Sequence, residues 1–144
     1  MIESDTIKLL RECDLGIAMG ISSIDDVIDH VDKDEFKEYL VSCKKKHIIL
    51  KDEIKDILLD YDVDGKDPNF FVKNMSSMKT SIKLAINDST KRIADLMIDG
   101  CNMGIKSLSK YLNEYECANE NAKDICKRLI ALEEELSSNI RKYL

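Results

Sequence analysis

Apolar residues recur at alternating steps of three and four along almost the whole chain, the period of a helix with one face turned inward. A first helix is predicted from about Asp5 to Val31, with Leu10, Ile17, Ile21, Ile24, Ile28 and Val31 inward. Asp32-Lys33-Asp34 makes a turn, with Asp34 as N-cap of a second helix that reaches about Asp60. Its inward stripe reads Phe36, Leu40, Cys43, His47, Leu50, Ile54, Ile57 and Tyr61, the spacing of a bundle seam. The pattern breaks over Asp60 to Asp67, which holds Gly65, and Pro68 opens a shorter helix near 69–86. After Asn87-Asp88, Ser89 caps a long helix to about Glu116. A last helix from about Glu120 to Tyr143 turns Ala122, Cys126, Leu129, Glu133, Leu136, Ile140 and Tyr143 inward.

The chain repeats itself. Gly16-Ile17-Ala18-Met19-Gly20-Ile21-Ser22-Ser23 returns as Gly100-Cys101-Asn102-Met103-Gly104-Ile105-Lys106-Ser107, a shift of 84. Lys37-Glu38 answers to Lys123-Asp124, and Glu53-Ile54-Lys55-Asp56-Ile57-Leu58 to Asn139-Ile140-Arg141-Lys142-Tyr143-Leu144, a shift of 86. The difference falls where the turns are predicted. A single domain over 1–144 follows, built as a hairpin (5–60), a crossover (61–88) and a second hairpin (89–144). Each hairpin alone leaves an apolar face exposed, so the two are expected to close into an all-α antiparallel four-helix bundle.

Hairpin, crossover and hairpin together resemble the ferritin-like superfamily over nearly the whole chain. Met97-Ile98-Asp99-Gly100-Cys101-Asn102-Met103-Gly104-Ile105 and the last six residues resemble an uncharacterised bacterial group of that fold. The resemblance implies the fold and no established activity. Ferritin-like di-iron centres take a Glu from each of two helices and Glu-x-x-His from each of the other two. This chain has no Glu-x-x-His, and Lys44 stands where His47 would need its Glu. His30, the other histidine, lies near a helix end. The metal centre is therefore not carried over by the resemblance.

What stands at that level instead is His47 and Glu133, equivalent under the 86-residue shift and both in inward stripes, with Cys101 at a similar height and Asp14 about a turn away. Buried polar groups need partners. One reading is a pocket for a small ligand, or a remnant mononuclear metal site, formed by His47, Glu133, Cys101 and Asp14. The preferred reading is a structural His–Glu hydrogen bond that fixes the register of two helices. The paired glycines 16/20 and 100/104 are expected to let the first helix and the 89–116 helix approach closely; the rival reading is a cavity.

Net charge is −6, with 28 acids against 22 bases, which disfavours nucleic acid as a partner. Lys44-Lys45-Lys46 reads as a solvated face. The N-terminus lacks the features of a secretory leader, and no apolar run is long enough to span a bilayer, so a cytoplasmic location is expected. Five cysteines without a CxxC pair read as reduced thiols, mostly in the core. Asp60-x-Asp62-x-Asp64-Gly65 matches the first half of a calcium loop, but Phe71 occupies the position of the bidentate Glu. Met75, Met78, Met97 and Met103 read as core filler. Without a nucleophile–base pair or a phosphate-binding loop, no cofactor is expected. The function expected is that of a non-catalytic bundle acting through protein association, including as a homodimer; the alternative is the metal- or ligand-binding remnant of a ferritin-like oxidase.

Overall fold

In the computed structural model, residues 4–61 and 90–144 are described. Four long helices account for most of them: α1 (Asp5–Val27), α2 (Asp34–Asp60), α3 (Thr90–Glu114) and α4 (Glu120–Asn139). Short 3-10 turns, Ile28–His30 and Arg141–Tyr143, finish α1 and α4. The α-helical part of α1 is thus shorter than periodicity predicted, because the inward stripe continues through the 3-10 turn to Val31. The same holds for α4, where Tyr143 stays buried beyond the helix end. The α3 helix stops two residues early. The predicted 69–86 helix, the Ser89 cap, Met75, Met78 and most of the acidic loop with Gly65 and Phe71 lie outside the described residues.

Two helix starts are closed by side chains. The Ser4 hydroxyl accepts from the Ile7 amide and the Asn119 side chain from the Ala122 amide, satisfying donors that a helix leaves free in its first turn. Asp34 is not the N-cap of α2. Lys33 holds that position with no side-chain cap, and Asp34 and Glu35 form the first turn, where their charge complements the helix dipole.

Contacts at the bundle ends fix the helix directions. At one end the Cys117 amide donates to Asp5, the Asn119 amide to Thr6 Oγ1, and the Asn119 side chain to the Tyr61 hydroxyl. At the other end Phe36 stacks on Tyr143 with centroids 4.3 Å apart, and Asn139 Nδ2 donates to the Tyr39 hydroxyl at 3.0 Å. So α1 and α4 run one way, and α2 and α3 run the other. The chain leaves α2 at one end and enters α3 at the opposite end, about 40 Å away at 1.5 Å per residue. Helix α1 packs on all three of its companions.

The core runs the length of the bundle. In α2 the buried positions are 36, 40, 43, 47, 50, 54 and 58; in α4 and beyond they include 122, 126, 129, 136 and 140. Adding 86 to 36, 40, 43, 50 and 54 gives 122, 126, 129, 136 and 140, so the burial pattern itself recurs. Each fully buried Leu, Ile or Phe contributes about 1.5–3 kcal/mol of transfer free energy. At the end of the α2 stripe Ile57 is half-buried against the core, and Tyr61 alone leaves the stripe. Leu58 is buried where Ile57 was expected to lead, and Tyr61 is exposed. Met97 belongs to the core, but Met103 is 71% exposed and is no core filler. Among the described residues no helix is long and apolar enough to cross a membrane.

Candidate polar site at the bundle centre

His47 lies midway along α2 and is fully buried; its Nε2 stands 2.8 Å from Glu133 Oε1 on α4. The other ring nitrogen, Nδ1, is 2.8 Å from the Cys43 carbonyl one turn earlier, with the Cys43 thiol at 3.6 Å. A carbonyl can only accept, so Nδ1 carries a hydrogen. One further proton remains for the Nε2–Oε1 contact, and it lies on the imidazole or on the carboxyl. The pair is neutral overall either way. Burial pushes the His47 pKa down, but hydrogen bonds to Cys43 and Glu133 and the Glu133 charge outweigh it and raise it to about 10. At neutral pH the pair is an imidazolium–carboxylate ion pair with both ring N–H groups satisfied.

Cys101 on α3 joins this layer. Burial, together with the nearby Glu133 carboxylate, holds its thiol pKa well above the ordinary range. Cys101 is therefore a neutral thiol rather than a thiolate. Helix α1 contributes an absence of side chain: a Cβ on Gly20 would stand 3.0 Å from His47 Nε2 and 3.1 Å from Cδ2. The four helices thus supply a gap, an imidazole, a thiol and a carboxylate to one level.

Three of the four residues singled out from the sequence meet here, and the fourth does not. Asp14 accepts from Lys51 at 3.2 Å, a turn along α2 from His47 and on its flank. Asp14 points out of the α1–α2 seam because the stripe beside it is filled by Cys13 and Ile17, both fully buried. His30 is exposed in the 3-10 turn after α1. The glycine expectation also needs correction. Gly16 and Gly20 face Leu108 and Leu129, and His47, respectively, while no described atom lies within 4 Å of a Cβ placed on Gly100 or Gly104. The close approach is between the α1 backbone and a side chain of α2, not between paired glycines.

Sequence reasoning passed over the role of Cys43, whose carbonyl fixes the imidazole. The signal was present, since a His at position i of a helix reaches the carbonyl at i−4. Among the described residues, no group of three His, Cys, Asp or Glu side chains is arranged to hold a metal ion. The His47–Glu133 contact joins α2 to α4 at this level. Comparison of the chain with protein-family models, with curated proteins and with solved structures finds no match in any of the three.

Proposed function

We propose that this protein is a non-catalytic, cytoplasmic helical bundle of ferritin-like topology that acts by associating with protein through the outward face of α2. The helix directions support the topology: two hairpins, with α2 and α3 parallel and joined end to end across the bundle. The burial pattern that recurs after 86 residues supports an origin in a duplicated hairpin.

The observation that carries the association reading is the surface of α2. Val41, Ile48, Ile49 and Leu59 are exposed, Ile49 by 63%. Three of them fall at i, i+7 and i+8, which puts them on one side of a helix. The flanks of α2 are tied to its neighbours by ion pairs: Lys44 to Asp25 and Lys51 to Asp14 on one side, Lys46 to Glu135 and Arg128 to Glu53 on the other. Apolar side chains left outward between such flanks are suited to a protein surface. The polar centre, by contrast, offers no unpaired nucleophile or base, since each of its groups is committed to another.

A photo-crosslinking amino acid at position 49, introduced in cells, should give a defined adduct with another protein chain. The same probe at the exposed Lys127 on α4 should give none. Absence of any adduct at 49 would remove the reading.

A further inference from the structure

The outward face of α2 carries one more feature, its charges. Lys45 and Asp52 are exposed one turn to either side of Ile48-Ile49, and neither has an ion-pair partner among the described residues. Their immediate neighbours Lys44, Lys46, Lys51 and Glu53 all have one. At 100° per residue, Lys45 and Asp52 stand within about 20° of each other around the helix, with Ile48 and Ile49 on either side of that line.

This arrangement is self-complementary under a twofold axis, and only in one sense. When a second α2 is laid antiparallel on the first with the axis between Ile48 and Ile49, position 45 falls opposite 52 and position 52 opposite 45. The two isoleucines of each copy then meet those of the other, and two Lys–Asp pairs flank them. Val41 falls opposite Asp56 of the second copy, with Lys55 alongside, whose methylene stem can cover it. A parallel arrangement would set Lys45 against Lys45 and Asp52 against Asp52. Twofold interfaces require this kind of reciprocity, in which residue i meets j and j meets i.

Resting on the association reading above, we infer that the occupant of this face is a second copy of the chain, bound as an antiparallel α2–α2 dimer with Lys45 of each copy opposite Asp52 of the other. The charges set direction and register, and the isoleucines supply the apolar contact.

Sedimentation equilibrium of the purified chain at low ionic strength, together with two charge reversals, tests this. The wild type should dimerise. Lys45→Asp and Asp52→Lys each convert two attractive pairs into two repulsive ones, and each should weaken self-association about tenfold. An equimolar mixture of the two variants should regain dimerisation. In the mixed dimer one copy presents a carboxylate at both positions and the other an ammonium at both, so each of the two facing pairs is again attractive. Both sites are exposed, so circular dichroism should show unchanged helix content. A wild-type dimer whose mixture fails to recover would overturn the antiparallel register. A wild type that stays monomeric at every concentration would overturn self-association. In that second outcome an adduct at position 49 in cells would still leave the association reading standing, with a different chain as partner.

Discussion

Gly20 and His47 are matched: the imidazole occupies space that any side chain on α1 would claim, with Nε2 3.0 Å from where a Cβ would be. His47 cannot withdraw, because both ring nitrogens are held at 2.8 Å. Gly20→Ala should therefore destabilise by about 1–2 kcal/mol, even though Ala is the better helix former. Gly104→Ala, where no described atom lies within 4 Å, should stabilise by about 0.5–1 kcal/mol. Urea melts of the two variants check the contrast. Equal gains at both positions would show that the ring has room to move.

The His47–Glu133 pair spans α2 and α4 and is shielded from water on the His side. Removing one partner strands the other, so His47→Leu or Glu133→Leu alone should cost about 1–4 kcal/mol. The double Leu variant should recover much of that loss, since an apolar pair of similar volume leaves no buried charge. Strictly additive losses would mean that the two side chains do not interact.

The pH dependence follows from the raised His47 pKa. Its folded value of about 10 lies above the ordinary value of 6.5, so its contribution to stability is complete below about 6.5 and is lost as pH rises through about 10. Between pH 7 and 10.5 the wild type should lose more stability than the double Leu variant, whose profile lacks this component. Matching profiles would mean that the imidazole is not held protonated.

Of the five cysteines, Cys13, Cys43, Cys101 and Cys126 are buried and Cys117 is exposed in the α3–α4 turn, all as free thiols. A thiol reagent added to native protein should label Cys117 rapidly and the other four only as fast as the bundle opens. Burst labelling of Cys101 would show that the bundle centre is open to solvent.

Metal content separates the structural reading of the centre from the remnant-site reading. His47 Nε2 and Glu133 Oε1 are committed to each other, and Cys101 is held as a neutral thiol. Protein grown in iron-rich medium and purified without chelator should therefore carry well under one metal ion per chain by elemental analysis. A stoichiometric metal lost in the Glu133→Leu variant would reverse that assignment.

Periodicity by itself determined the four long helices, most of their inward faces and the pairing of His47 with Glu133, because a helix repeats its geometry and stripes of like spacing carry matching positions to matching heights. It could not place the ends. The burial of Val31 and Tyr143 continues through 3-10 turns, and which residue stops an α-helix depends on what packs beyond it. Nor could it separate Asp14 from the polar centre, since a difference of one turn decides whether a carboxylate meets an imidazole or the ammonium of Lys51. The same limit explains the glycines: their shared spacing made 16/20 and 100/104 look alike, but only the packing of α2 against α1 gives Gly20 a neighbour at 3.0 Å. Sequence patterns record which face of each helix is apolar. How deeply two faces interlock, and therefore which small residue is indispensable, is settled by the relative placement of helices distant in the chain.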